Sequence, residues 1–180
     1  MRIISGTYKG RRFQAPKNLP TRPTTDRAKE ALFNILNNRY YFDELRVLDL
    51  FAGIGSISLE FASRGVQDIT SVDRHLKCVQ FIEKTAQNLG APVQVIKADV
   101  FRFLESYSRS TDIIFADPPY DFDLEDIKKI HQFVFSKELL TDDGLLIIEH
   151  AKHTALTQLD FFSDQKNYGG SSFSFFENPS

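Results

Sequence analysis

The stretch Val47–Ser56, VLDLFAGIGS, decides the fold class of this 180-residue chain. Its first residues suit a buried strand, Gly53 and Gly55 suit a tight turn, and Ser56 suits the start of a helix. In the first strand-to-helix turn of an open α/β sheet, glycines let the backbone approach a ligand, and the helix N-terminus offers free N–H groups. Ser58 stands where a dinucleotide fingerprint has its third glycine, so a plain structural turn remains an alternative interpretation.

Short apolar strands alternate with helical segments on the C-terminal side of this turn. The predicted strands are Val47–Phe51, Ile69–Val72, Val93–Ile96, Ile113–Ala116 and Leu145–Ile148, and the predicted helices are Ser56–Ser63, Leu76–Leu89, Val100–Tyr107 and Leu124–Phe135. We expect the turn Asp142–Gly144 to lead into the fifth strand. Short, continuously apolar strands that alternate with helices are typical of a parallel sheet covered on both faces.

The two ends of the chain depart from this alternation. Ser163–Tyr168 and Ser171–Glu177 flank two glycines, which predicts an antiparallel C-terminal hairpin. Arg2–Ala15 predicts a second hairpin, prolines then keep the chain extended, and a helix is expected over Thr25–Asn38. We therefore predict a small β-hairpin extension at residues 1–23. Residues 24–180 would form an α/β domain with a doubly wound, mainly parallel, Rossmann-like sheet.

Composition excludes several classes of protein. Hydrophobic residues are 42% and charged residues 26% of the chain, which is typical of a globular domain. No apolar run approaches the roughly 20 residues of a membrane span, and the charged N-terminus does not resemble a signal peptide. Cys78 is the one cysteine, so an intrachain disulfide is excluded. We expect a cytoplasmic monomer that does not associate with membranes.

Charge is distributed unevenly along the chain. Residues 1–30 carry eight basic and two acidic side chains, whereas the remaining residues carry 14 basic and 22 acidic ones. A basic head on an acidic body indicates contact with a polyanion such as nucleic acid. A solvated basic hairpin would have the same pattern, so charge alone leaves both interpretations open.

Three carboxylates fall at the ends of three successive predicted strands: Asp49, Asp73 and Asp99. The carboxyl ends of parallel strands share one edge of the sheet, which is where ligands bind in open α/β folds. Asp73 lies 24 residues after Asp49, which suits the hydroxyls of a ribose, and Asp99 suits an exocyclic adenine amine. One such acid is more often a helix N-cap, but three at one edge indicate a nucleoside site.

The fourth predicted strand ends in Asp117-Pro118-Pro119-Tyr120. Two consecutive prolines make a stiff turn. The Asp117 carboxylate and the Pro118 carbonyl can both accept hydrogen bonds from one –NH₂ group, which directs the nitrogen lone pair towards an electrophile. Tyr120 can stack on a base taken out of its helix. A rigid turn with an aromatic lid is the alternative.

Together these motifs resemble the class I S-adenosylmethionine-dependent amino-methyltransferases. The N-terminal residues RII at 2–4, Gly6, Gly10-Arg11, RPTTDR at 22–27, Glu30 and LFN at 32–34 are similar to the bacterial RsmD family. That resemblance covers nearly the whole chain and implies transfer of a methyl group to the N2 amine of a guanine in 16S rRNA. Ile54, Ser58 and Tyr120 depart from residues common in the family.

The resemblance also implies roles for individual residues. The cofactor S-adenosyl-L-methionine would be bound by Thr24, Thr25, Asp49, Ala52, Gly53, Gly55, Asp73, Asp99 and Val100. The catalytic group would be Asp117, Pro118, Pro119 and Tyr120. Phosphates of 16S rRNA, free or in the small ribosomal subunit, would be contacted by Arg2, Arg11, Arg12, Arg22 and Arg27, although Arg22 and Arg27 could instead pair with acids of the body. No metal is expected, because His150 and His153 lack further ligands nearby.

Two other functions stay open on the sequence. A DNA adenine or cytosine amino-methyltransferase would use the same Asp117–Tyr120 chemistry, and a non-catalytic nucleic-acid-binding module could share the scaffold. Residues 1–45 offer no spare helix or ribbon for reading a major groove, which favours an RNA recognised by its shape and one flipped base. A non-catalytic module would be expected to have lost the acids, which this chain retains.

Overall fold

The computed structural model describes residues 1–17, 19 and 24–178. The helices are α1 (Asp26–Asn37), α2 (Ser56–Ser63), α3 (Leu76–Leu89), α4 (Val100–Ser106) and α5 (Leu124–Ser136). The strands are β1 (Arg46–Leu50), β2 (Asp68–Asp73), β3 (Val93–Lys97), β4 (Thr111–Ala116), β5 (Leu140–Ala151), β6 (Phe162–Tyr168) and β7 (Ser171–Glu177). A 3₁₀ turn at Phe42–Glu44 precedes β1. Within the described ranges, no helix is long and apolar enough to cross a membrane.

These strands form one sheet in the order β3-β2-β1-β4-β5-β7-β6. Strands β1 to β5 pair in parallel, and β7 lies antiparallel between β5 and β6. The predicted fold class, a doubly wound and mainly parallel sheet with an antiparallel C-terminal hairpin, is confirmed. The sheet order reverses between β1 and β4, which places the carboxyl ends of these two strands at the crevice where such folds bind ligands.

Side chains of the central strands alternate between two apolar cores. Val47 packs with α1 and α2 on one face of the sheet, and Leu48 packs with α4 and α5 on the other. Burial of each such side chain stabilises the fold by about 1.5–3 kcal/mol. With a period of two residues along a strand, Asp49 shares the face of Val47, and Glu149 shares the face of Ile147, which packs in the same core.

The entry into β5 differs from the sequence prediction. Asp142–Gly144 was predicted as a turn before the strand, but β5 already begins at Leu140 and includes these residues. Leu140 pairs with Thr111 whereas Leu145 pairs with Ile113, so the extra residues are accommodated as an irregularity inside the strand. Turn-forming residues therefore mark a break in register here and not the start of the strand.

The N-terminal extension is packed onto the body of the domain. Antiparallel pairing is limited to a bridge between Arg2 and Arg12, with backbone hydrogen bonds on either side of it. Ile3 is buried against Leu59 of α2 and Ala86 of α3. A Cβ atom at Gly6 would lie 1.8 Å from the Ser63 carbonyl oxygen, and the Gly6 φ is +82°, so this close approach requires glycine.

Candidate active site

The turn between β1 and α2 has the backbone that its glycines predict. Phe51, Gly53 and Gly55 have φ angles of 60°, 56° and 75°, and Gly55 caps α2 without a side chain. A Cβ atom on Gly55 would lie 2.9 Å from Ile82 Cγ1 of α3. Gly55 therefore satisfies both the left-handed backbone and the close packing of α3 beneath the turn.

Asp49 lies buried beneath this turn and is held by Ser58. The Ser58 N–H and hydroxyl donate to Asp49 Oδ2 at 3.1 and 2.6 Å, and the same hydroxyl contacts Ser71. Burial raises the pKa of Asp49 to about 7, and the two Ser58 bonds oppose that rise. The residue that replaces the third glycine of a dinucleotide fingerprint thus orients a carboxylate under the loop.

Asp73 and Asp99 are placed at the same edge of the sheet, each with a structural contact. Asp73 accepts the Gly53 N–H and the His75 N–H, both at 2.8 Å. Asp99 is the N-cap of α4 and accepts from the N–H groups of Phe101 and Arg102, while Val100 is buried behind it. A carboxylate oxygen has two lone pairs, so these bonds leave capacity for ligand hydroxyls and amines.

The Asp117–Tyr120 turn borders a cavity of about 100 Å³ at the carboxyl end of β4. The cavity is also lined by Glu149, near the end of β5, and by residues that follow this strand. The Tyr120 ring is 72% exposed and is available to a planar ligand. The four predicted catalytic residues are therefore together around one small cavity.

Negative charge is concentrated around Asp117. Burial raises the pKa of Asp117 well above its ordinary value, and the nearby carboxylates of Glu149 and Asp49 raise it further. Among the described residues that line the cavity, none is a lysine or an arginine.

Thr24 and Thr25, which were predicted near the cofactor, differ from each other in their contacts within the protein. Thr25 caps α1 by accepting the Ala28 N–H at 3.2 Å. The Thr24 hydroxyl donates to Glu149 Oε2 at 2.8 Å. Glu149 was missed in the sequence, although an acid directly after the fifth apolar stretch follows the same rule that identified Asp73 and Asp99.

Lys29 and Glu60 form a buried ion pair that the sequence did not reveal. Their charged atoms are 3.5 Å apart, and both side chains are almost fully buried. The Lys29 ammonium also donates to the Arg2 carbonyl at 2.6 Å and to the Ser56 hydroxyl at 3.2 Å. Glu60 accepts the backbone N–H groups of Ile4 and Ser5. The pair therefore fixes the N-terminal extension to the helix that begins at the glycine turn.

The predicted RNA-contacting arginines have different surroundings. Arg2 pairs with Asp26 at 3.0 Å. Arg11, Arg12 and Arg27 are exposed and make no ion pair with a residue that the structure describes, so pairing of Arg27 with an acid of the body is not seen. Arg22 lies outside the described residues. Three exposed guanidinium groups remain available for phosphate.

His150, which lines the cavity, has ordinary structural contacts. The two ring nitrogens of His150 contact the Ala151 carbonyl and the Ser174 hydroxyl, and burial lowers the His150 pKa. In the part of the chain that the structure covers, no group of three or more His, Cys, Asp or Glu side chains is arranged to hold a metal ion.

Comparison with known proteins adds a family and a common fold. Residues 1–177 match the family described as Conserved hypothetical protein 95. The chain is 37% identical over 163 residues to YlbH of Bacillus subtilis (strain 168), covering 88% of this chain and 86% of YlbH. It is 31% identical over 150 residues to ribosomal RNA small subunit methyltransferase D of Escherichia coli (strain K12), covering 83% of this chain and 74% of that protein. The solved structure of yhhF from Escherichia coli superposes with a TM-score of 0.85 at 28% identity, covering 98% and 96% of the two chains.

Proposed function

Because the chain belongs to the Conserved hypothetical protein 95 family, the RsmD family, we propose that it is an S-adenosylmethionine-dependent rRNA methyltransferase. We further propose that its target is the exocyclic N2 amine of a guanine in 16S rRNA, free or within the small ribosomal subunit. Relatives named ribosomal RNA small subunit methyltransferase D support the substrate class. The reaction needs no membrane and no metal in this proposal, and one cytoplasmic chain carries the whole site.

A single observation carries the proposal: the Asp117–Tyr120 turn borders a cavity next to the edge formed by the glycine turn and its acids. In this arrangement a cofactor above β1 and a base beside β4 would meet across Asp117. The charge of Asp49, which lies under the glycine turn, also raises the pKa of Asp117. The expected cofactor region above β1 and the expected base region beside β4 are therefore neighbours.

The residues at this edge fit S-adenosylmethionine. Asp73 and Asp99 retain acceptor capacity for ribose hydroxyls and an adenine amine. The buried carboxylate of Asp49 under the glycine turn makes this edge favourable for a cation. When bound, S-adenosylmethionine supplies an electrophilic methyl group on a positively charged sulfur.

The chain's own residues prepare the amine for attack. The Asp117 carboxylate and the Pro118 carbonyl accept hydrogen bonds from its two N–H groups, and the two consecutive prolines keep both acceptors in place. Tyr120 covers the face of the flipped base. After methyl transfer the nitrogen carries an extra proton, which Asp117 or solvent accepts. Alignment provides most of the rate enhancement, because an in-line displacement needs orientation more than a strong base.

The deciding experiment is incubation with methyl-labelled S-adenosylmethionine and either naked 16S rRNA or small subunits from cells that lack this enzyme. We expect label in N2-methylguanosine after digestion to nucleosides. Label in a methylated adenosine or cytidine would overturn the guanine assignment. Label in DNA and none in RNA would favour the DNA amino-methyltransferase instead.

Asp73→Ala is expected to weaken cofactor binding by about 10-fold to 100-fold. The variant loses charge-assisted bonds to the ribose, worth on the order of 1–3 kcal/mol, and it loses the acceptor that positions the Gly53 N–H. Calorimetry with S-adenosylhomocysteine measures the effect. Asp164→Ala is the control, because that exposed carboxylate on β6 contacts only its chain neighbours Lys166 and the Gln165 N–H among the described residues. Equal affinities of the two variants would contradict a ribose contact.

Arg11→Ala/Arg12→Ala is expected to weaken RNA binding and to reduce its salt dependence by up to about one phosphate per residue. Both side chains are exposed, so folding and cofactor affinity should stay unchanged. The matched control is Arg39→Ala/Arg109→Ala, which removes two arginines already paired with Glu177 and Asp68. RNA-binding titrations at several salt concentrations measure this salt dependence. If both double variants give the same slope of affinity against salt, Arg11 and Arg12 do not contact phosphates.

A further inference from the structure

Glu149 occupies a distinctive place in the cavity beside Asp117. Ala116 pairs with Ile148 in the parallel ladder, so the next residues along the two strands, Asp117 and Glu149, are neighbours. Both line the cavity, and their charges interact. Glu149 is 8% exposed, so a second carboxylate is buried next to the one assigned to the amine.

Two hydroxyl groups fix the orientation of the Glu149 carboxylate. Thr24 donates to Oε2 at 2.8 Å, and Ser171 at the start of β7 donates to Oε1 at 3.0 Å. Each carboxylate oxygen can accept a second hydrogen bond. Glu149 is thus a positioned acceptor at the cavity wall, held by elements from both ends of the chain.

The chemistry of the base determines what such an acceptor selects. In guanine, the N2 amine is flanked by two ring nitrogens, of which N1 carries a hydrogen and donates. In adenine and cytosine, the ring nitrogen next to the exocyclic amine carries no hydrogen and accepts. Asp117 with the Pro118 carbonyl can hold the amine of any of these bases. A carboxylate beside them pairs with guanine and faces a lone pair in adenine or cytosine.

We propose that Glu149 selects guanine by accepting the N1–H of the target base while Asp117 accepts from the neighbouring amine. This inference rests on the proposed function and adds the residue that determines its base specificity. A base without N1–H presents a lone pair to this carboxylate in place of a donor, and a site that hydrogen-bonds a substrate N–H rejects such analogues strongly. The N1–H would add a donor from the base to those that Thr24 and Ser171 already supply to Glu149.

The test compares guanine with 2,6-diaminopurine at the mapped target position in 16S rRNA ligated from a synthetic segment. Both bases carry the 2-amine, but only guanine has N1–H. The wild-type enzyme should prefer guanine in kcat/KM by about 100-fold or more. In Glu149→Gln the amide can donate to the bare N1 of diaminopurine, so the preference should fall below about tenfold or reverse.

Ser171→Ala is the control, because it removes one hydroxyl that orients Glu149 but keeps the carboxylate. It should lower the rate on both bases and keep the guanine preference within about threefold of the wild-type value. If Glu149→Gln turns over too slowly, the binding ratio of the two RNAs in the presence of S-adenosylhomocysteine gives the same answer. An unchanged ratio in Glu149→Gln overturns the inference, whereas a wild-type enzyme that does not methylate guanine N2 overturns the proposed function itself.

Discussion

Lys29→Met is expected to lower the free energy of unfolding by about 3 kcal/mol. Lys29 is fully buried with Glu60, and it also satisfies the Arg2 carbonyl and the Ser56 hydroxyl. Methionine fills much of the volume but leaves Glu60 as a buried charge. Glu60 keeps a bond from Arg64 at 2.9 Å, which is why the loss should fall at the lower end of the range for a broken buried pair.

Urea unfolding of the full chain measures this loss. Lys84→Met is the control, since Lys84 is exposed on α3 and its replacement should change stability by less than about 0.5 kcal/mol. Adding Glu60→Gln to Lys29→Met should restore about 1 kcal/mol, because the amide removes the buried charge and still accepts one backbone N–H. A Lys29→Met variant within 1 kcal/mol of the wild type would show that this pair does not hold the N-terminal extension in place.

Local patterns predicted most of the fold. Helices Ser56–Ser63 and Leu76–Leu89 have the bounds expected from apolar periodicity and from Gly55 and Gly90 at their ends. These signals lie within a few residues of the element that they specify, so the sequence displays them directly. The exception at Asp142–Gly144 shows the limit: turn residues can also be absorbed as an irregularity inside a strand.

Contacts between distant residues could not be predicted in this way. Lys29 looks like one more charge of a basic head, yet its burial depends on Glu60 and on the carbonyl of Arg2. Likewise, Thr24 and Glu149 come from opposite parts of the chain. No local propensity links such pairs, because only the packing of α1 and the N-terminal extension against the sheet brings them together.

Acids at strand ends were predictable as a class, but their individual environments were not. Asp49, Asp73 and Asp99 all lie at one edge of the sheet, and each also has a structural partner: Ser58, the Gly53 N–H and the start of α4. Each of these carboxylates can therefore keep its structural hydrogen bond and still contact a ligand. Burial decides how strongly each carboxylate is perturbed, and burial depends on the complete fold.

Asp117→Ala is expected to reduce turnover by a hundredfold or more, by analogy with the roughly 10²–10³ lost on removing one preorganised group. It should change S-adenosylmethionine affinity by less than about threefold, a difference under roughly 1 kcal/mol, because the cofactor contacts lie on Asp73 and Asp99. Asp117→Asn should keep more activity than Ala, since its amide oxygen still accepts one N–H. Tyr120→Phe should be tolerated, because stacking needs the ring and not the hydroxyl.

The pH dependence separates a role of Asp117 as acceptor from a merely structural one. Burial first, and then Glu149 and Asp49, raise the pKa of Asp117, and only its ionised form can accept both the amine hydrogen and the final proton. Turnover of the wild type at saturating cofactor should therefore rise with pH through this raised pKa and then level off. Asp117→Asn cannot ionise and should lose that rising limb. Single-turnover assays across pH measure both effects, and a fully active Asp117→Ala enzyme would remove this turn from the mechanism and favour a non-catalytic binding module.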